Sequence, residues 1–148
     1  MKELKVNLWD CITDSIETIP CITTNGTINA KGECVMGRGV ALEASYRYRS
    51  LPEMLAKKIK EEGNRVHMFL PFPGQYVITF PVKYEWFQRA NLDLIAKSTD
   101  QLRTIALEAK EARFYLPRPG CGNGRRDWLN EVKPIVDCLP DNVIIVSL

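Results

Sequence analysis

Residues Asn91–Gly124, NLDLIAKSTDQLRTIALEAKEARFYLPRPGCGNG, decide the fold class. In the first half Leu92, Ile95, Ala96, Thr99, Leu102, Ile105, Ala106 and Ala109 recur at spacings of three and four, with charges opposite. That period predicts an amphipathic helix from Asn91 to about Lys110. Arg113–Leu116 then reads as a short apolar strand, and Arg118-Pro119-Gly120-Cys121-Gly122-Asn123-Gly124 as a turn leading to another helix, about Trp128 to Cys138. Helix, strand, turn and helix again is the repeating unit of an α/β fold.

The same grammar extends outward. Leu4–Trp9 reads as an apolar strand ending at Asp10, and Ile19–Thr24 as a second, bounded by Asn25-Gly26. Met36-Gly37-Arg38-Gly39-Val40-Ala41-Leu42 is a second glycine turn that opens a helix from Gly39 to about Arg49. Leu51-Pro52 is expected to break it, with Glu53–Glu62 a further helix closed by Gly63-Asn64. Val66–Leu70 and Tyr76–Phe80 read as strands around Pro71–Gly74, and Val143–Val146 as the last strand. No repeat, low-complexity tract or linker interrupts the 148 residues. The expectation is one domain, 1–148, built as a three-layer α/β/α sandwich on a mixed, mostly parallel central sheet.

A chain of 148 residues can bury about 68–70% of its unfolded surface, enough for a core without metal or disulfide staples. Net charge +2 is too small to argue for nucleic-acid binding by itself, although Arg113, Arg118, Arg125 and Arg126 suggest a local basic cluster at the second turn. Cys11, Cys21, Cys34, Cys121 and Cys138 are odd in number and lack CxxC spacing, and the opening residues show no charged-then-apolar leader pattern. Free thiols, a cytoplasmic setting, no membrane span and a monomer are the expectations. The lone His67, in a strand, reads as a packed or surface residue, and ligands for zinc are lacking, so no metal or other cofactor is expected. Without a secretory signal the Asn25-Gly26-Thr27 sequon carries no weight.

The chemistry resides in the two glycine turns. Glycine lacks a Cβ, so backbone N–H groups can approach a ligand's oxygens closely, and a helix N-terminus adds a favourable dipole. Two such turns suggest a ligand with a diphosphate and a second polar end; the alternative is a pair of tight strand–helix connections. Asp10, Asn25, both turns and Lys83 all fall just past a strand or close to one, where open α/β sheets bind ligands. Neither turn gives G-x-G-x-x-G with an acidic residue about 20 positions on, and no G-x-x-x-x-G-K-[ST] occurs, which argues against a dinucleotide oxidoreductase and a triphosphatase.

Five pieces in order, Leu8-Trp9-Asp10, Ile22-Thr23-Thr24-Asn25, Val35–Leu42, Ile78-Thr79-Phe80-Pro81-Val82-Lys83 and Leu116–Gly124, resemble a macro domain over nearly the whole chain. The resemblance is nearest the branch of terminal ADP-ribose glycohydrolase and the DNA ADP-ribosyl glycohydrolase antitoxins. It implies that the chain binds ADP-ribose and cleaves the bond at the anomeric carbon of the distal ribose. The alternatives it leaves are a phosphatase of ADP-ribose 1″-phosphate and a non-catalytic reader. The partner implied is ADP-ribose, or a protein or nucleic acid carrying it.

Carried onto this sequence, the resemblance makes Asp10 the acceptor for the adenine 6-amino group, with Cys11 and Ile12 as backbone donors; the alternative for Asp10 is a helix cap. It gives Asn25 the distal ribose, where the alternative is turn formation before Gly26. Met36, Gly37, Arg38, Gly39 and Val40 would wrap ribose and phosphate, and Pro119, Gly120, Cys121, Gly122, Asn123 and Gly124 the diphosphate. Cys121 reads as a small filling residue rather than a nucleophile, there being no histidine nearby. Lys83 is the expected catalytic group together with Asn25, a partly desolvated lysine being a usable nucleophile or proton carrier; its alternatives are a surface lysine or a phosphate partner. Trp86 and Phe87 are either an aromatic wall for a substrate or packing under the loop. Arg118 is a candidate for the floor of the second turn, with Arg125 and Arg126 solvated or touching nucleic-acid phosphates. Where eukaryotic glycohydrolases carry an acid in the second loop this chain has Gly124, a departure shared by the DNA-directed branch.

Overall fold

A computed structural model describes all residues, 1–148. Its strands are β1 (Lys2–Lys5), β2 (Thr18–Thr24), β3 (His67–Phe72), β4 (Gln75–Pro81), β5 (Arg113–Pro117) and β6 (Val143–Ser147), forming one sheet in the order β1-β6-β5-β2-β4-β3. Every pairing is parallel except the β3–β4 hairpin. The helices are α1 (Gly39–Arg47), α2 (Leu51–Glu62), α3 (Leu92–Glu108) and α4 (Lys133–Val136).

Alternation along the strands divides the core in two. Ile19 and Cys21 of β2 and Ile78 and Phe80 of β4 join Ile95 and Leu102 of α3 on one face. Ile22 and Val77 join Ala44 of α1 and Leu55 of α2 on the other. This is the expected three-layer sandwich. Each fully buried leucine or isoleucine contributes about 1.5–3 kcal/mol relative to exposure.

Several boundaries moved for identifiable reasons. The expected strand Leu4–Trp9 is two elements: β1 stops at Lys5, and Leu8–Cys11 is a 3₁₀ turn. Asn7 starts that turn by accepting the Trp9 N–H on Oδ1 at 2.9 Å. Every residue of β1 is exposed, so apolar patterning could not fix its bounds. The expected break between two helices is present, α1 ending at Arg47, but Leu51-Pro52 belongs to the first turn of α2, where proline's missing N–H costs nothing. The last helix is a wide π-type turn, Trp128–Val132, followed by the single turn of α4. On α3 the buried stripe includes Leu94 and Ser98 while Ala96 faces solvent. Ser98 is tolerated inside because its hydroxyl donates to the Pro81 carbonyl at 2.8 Å. His67 is packed, with Nε2 2.9 Å from the Gly63 carbonyl.

Parallel strands end together. Thr24 pairs with Pro81 across β2–β4, and Pro117 with Val146 across β5–β6. The segments after β2, β4 and β5 therefore leave the same edge of the sheet. Arg113 begins β5 and so lies five residues from Arg118, about 16 Å at 3.3 Å per residue, which removes it from the expected basic cluster.

Candidate functional site

Beyond that edge lie two cavities with shared walls. The larger, about 930 Å³, is lined by Asn25, by Met36–Ala41, by Val82 and Lys83, and by Gly120 and Gly122–Arg125. The smaller, about 390 Å³, is lined by Val6, Asn7 and Leu8, by Glu43, and by Cys121 and β6 residues. Val40, Pro117, Arg118 and Gly122 line both.

The first glycine turn meets α1 without a side-chain cap. Arg38 occupies the cap position with extended backbone and no capping hydrogen bond, and the first turn carries no acid. Orphan N–H groups thus remain at the positive end of the helix dipole. Gly37 and Gly39 hold φ of 53° and 62°, a region costing non-glycine residues roughly 1–2 kcal/mol, and a Cβ on either would meet only open space. Their glycines serve backbone shape and an unobstructed cleft.

Gly124 works differently. A Cβ there would lie 2.5 Å from the Gly120 carbonyl oxygen and 2.8 Å from the Ala90 Cβ. The turn folds onto itself, with Arg126 N–H donating to Gly120 O at 2.9 Å and Ala90 N–H to Gly124 O at 3.0 Å. Glu131 anchors it from outside, pairing with Arg126 at 2.9 Å and Arg89 at 3.3 Å.

Asn25 follows β2 and is almost fully buried. Its Nδ2 donates to Val35 O at 2.8 Å, and its Oδ1 accepts the Thr27 N–H at 2.9 Å. It therefore ties the first glycine turn to β2 while lining the cavity.

Lys83 stands half-buried beyond β4. Its Nζ donates to Trp86 O at 3.2 Å and Asn123 O at 3.4 Å. Burial, and secondarily the Arg125 charge, hold its pKa below the usual lysine value. Around it the larger cavity presents Arg38, Arg118 and Arg125, and no Asp, Glu, His, Cys or Tyr. Guanidinium groups do not give up their proton in proteins. Lys83 is thus the one side chain of this lining whose protonation can change under ordinary conditions.

Asp10, Cys11, Ile12 and Pro119 line neither cavity. The 3₁₀ turn leaves Asp10 exposed to solvent, and the neighbouring wall of the smaller cavity is formed by Val6, Asn7 and Leu8. An N-cap type residue followed by apolar Leu8-Trp9 was the sequence signal for that turn. Burial pushes the Cys121 thiol up to about 11, so it stays protonated and unreactive near neutrality. Sequence reasoning missed Glu43 and the Arg89–Glu131–Arg126 clasp, which joins residues distant along the chain.

The sequence matches no protein-family model. It is 32% identical over 124 residues to the DNA ADP-ribosyl glycohydrolases of Mycobacterium bovis and Mycobacterium tuberculosis, covering 78% of this chain and 35% of each relative. The chain thus spans about a third of the length of the curated relatives it matches. Among solved structures it superposes on the macrodomain of Mycobacterium tuberculosis DarG with a TM-score of 0.77 and 25% identity, over 99% of this chain and 97% of that one. The chain is a macrodomain. A structure of Thermosipho africanus DarTG in complex with ADP-ribose shares the fold at a TM-score of 0.70 and 17% identity, over 89% of the macrodomain described here and 38% of that chain. No helix is long and apolar enough to cross a membrane.

Proposed function

We propose that this macrodomain binds ADP-ribose across the two cavities and releases it from ADP-ribosylated DNA by hydrolysis at the anomeric carbon of the distal ribose. One observation carries the reading. The larger cavity presents Arg38, Lys83, Arg118 and Arg125 with no carboxylate, beside the uncapped N-terminus of α1. Such a lining suits a diphosphate, because cations and free backbone N–H groups both stabilise oxyanions that water would otherwise hold. The smaller cavity, with Val6, Leu8, Val40 and Val146 in its wall, offers an apolar slot for a base, and Asn7 and Glu43 offer polar contacts to its edge.

Support for the substrate comes from the mycobacterial relatives, whose name specifies glycohydrolysis on DNA, and from the Thermosipho complex with ADP-ribose. Within the cavity Lys83 is suited to act at the anomeric carbon. In its neutral form the amine can take a proton from a water that attacks that carbon; as the new C–O bond forms the glycosidic bond breaks, and the ammonium returns the proton to the departing base. Alternatively the amine attacks the carbon itself and displaces the base, which takes the amine's proton, and water then cleaves the C–N adduct to free ADP-ribose and the amine. Asn25 holds the distal ribose against the first glycine turn, and its two backbone bonds keep that wall in place.

The test is calorimetric titration with ADP-ribose, with ATP and NAD as controls, followed by assay of ADP-ribose release from a modified oligonucleotide. Micromolar ADP-ribose binding, roughly −8 kcal/mol, with weak controls and turnover on the oligonucleotide is expected. Binding without turnover would leave a reader of ADP-ribose, and absence of binding would remove the proposal.

A further inference from the structure

The rim of the larger cavity beside Lys83 carries two aromatic rings in water. Trp86 is 56% exposed and Phe87 63%, and they meet edge to face at 5.8 Å between centroids. The backbone beneath them is fixed. Trp86 N–H donates to the Thr27 hydroxyl at 2.9 Å, that hydroxyl donates to Glu85 at 2.7 Å, and Gly26 N–H donates to Tyr84 O at 3.2 Å. A rigid loop that lifts two large rings into solvent exposes apolar surface that a partner could cover.

Arg125 lines the same cavity from the second glycine turn, at φ 60°, a left-handed conformation unusual for a side-chain-bearing residue. Its carbonyl is gripped by Arg89 through Nε at 3.1 Å and Nη2 at 3.0 Å, which fixes the backbone beneath its exposed guanidinium. Neither Arg125 nor Arg38 makes an ion pair, while Arg118 lies 3.9 Å from Glu3. The Arg125 guanidinium is exposed and unpaired, so its charge is open to a phosphate beyond the diphosphate. Lys83, Trp86, Phe87 and Arg125 all line the larger cavity and none lines the smaller, so the uncovered charge and the rings share the end where the released base departs.

We infer that Trp86, Phe87 and Arg125 form a subsite for the nucleotide flanking the modified one, with its base stacked on the rings and its phosphate on Arg125. The inference rests on the proposed reaction for the position of the cut bond. Stacking requires an unpaired base, because in a duplex both faces are already covered by neighbours. The subsite therefore favours a single-stranded oligonucleotide over a mononucleoside, a duplex or a peptide.

Fluorescence provides a readout independent of turnover, since Trp128 is buried, Trp9 half-buried and Trp86 open to solvent. Titration with an unmodified, mixed-sequence single-stranded oligonucleotide should quench the emission, and Trp86→Leu should remove the quench. A blunt duplex of the same sequence should leave it unchanged. Arg125→Gln should flatten the salt dependence of binding, one phosphate contact being lost. In turnover, Trp86→Leu and Phe87→Leu should lower kcat/KM about tenfold more on an ADP-ribosylated oligonucleotide than on an ADP-ribosylated mononucleoside, the scale of one lost base stack. No quench, an equal quench by duplex, or equal losses on oligonucleotide, nucleoside and modified peptide would overturn the subsite. The two readings fail separately. Quenching without any ADP-ribose binding would sink the proposed reaction and leave only a stacking site for single strands, whereas ADP-ribose release without quenching would sink the subsite and keep the reaction.

Discussion

The ammonium of Lys83 donates to the backbone carbonyl of Asn123 at 3.4 Å, so the segment leaving β4 and the second glycine turn meet at the one proton-exchanging side chain of the larger cavity. A second carbonyl, that of Trp86, lies 3.2 Å from the same nitrogen. Both acceptors favour the charged form, while burial and Arg125 oppose it and prevail. The amine is thus held in place by groups that do not neutralise it, an arrangement from which a free base can be released into the cavity.

Lys83→Ala should abolish ADP-ribose release from a modified oligonucleotide while shifting ADP-ribose affinity by less than about tenfold, or about 1.4 kcal/mol. Lys83→Arg should be equally inactive, because a guanidinium keeps its proton. Single-turnover assays of both variants check this. Full activity of Lys83→Arg would show that the position needs only positive charge.

The direction of the Lys83 shift sets a pH dependence. With its pKa below the usual lysine value of about 10.4, the neutral amine grows as pH rises, so kcat/KM should climb with a midpoint under that value. Arg125 contributes to the lowering. Removing that charge in Arg125→Gln favours the ammonium, moves the midpoint upward and slows the reaction near pH 7.5. A midpoint that moved downward would mean Arg125 does not act on Lys83.

These relationships were unevenly legible in the sequence. The 3.6-residue stripe of α3 and the strand run before the second glycine turn were readable because each element buries apolar residues in a regular pattern, and burial writes a period into the chain. The first glycine turn follows no strand directly, β2 ending at Thr24. β1 left no such mark, its four residues all being exposed. Asp10 was misplaced because a strand was extended through Asn7, whose side chain instead starts a turn. Asn25 was readable as a site residue or a turn residue, and the structure makes it a tie between two walls. The grip of Arg89 on Arg125 and Glu131 spans 36 and 42 residues of sequence, beyond any local pattern.

Two glycines of the second turn should separate fold from ligand. A methyl at Gly124 meets the backbone of Gly120 at 2.5 Å and 2.7 Å, atoms that cannot step aside as a side-chain end can. Gly124→Ala should therefore cost about 1–3 kcal/mol of stability, the usual range for overpacking. Gly122→Ala meets open space and should stay within about 0.5 kcal/mol of the parent. Its methyl would project into the cavities, so weaker ADP-ribose binding is its expected signature. Urea unfolding and calorimetry on the two variants check the contrast, and equal stability losses would overturn it.

Asn25 offers the sharpest test of a residue that serves two purposes. Asn25→Ala removes the donor to Val35 O and the acceptor for Thr27 N–H at a nearly buried site, which should cost about 1–3 kcal/mol. Asn25→Asp keeps the acceptor but turns a carboxylate oxygen toward the Val35 carbonyl. Burial and that repulsion raise the introduced group's pKa above its unfolded value of about 3.9. A raised folded pKa means the stabilising contribution is complete below the unfolded value and is lost as pH rises through the folded one. Asn25→Asp should therefore be less stable than Asn25→Ala at pH 7 and recover relative to it on acidification, when a protonated carboxyl can donate to Val35 O. Urea midpoints for both variants between pH 4 and pH 8 measure this. Parallel curves would show that the Val35 contact contributes nothing, and loss of turnover in Asn25→Ala would then reflect contact with the ribose rather than a loosened wall.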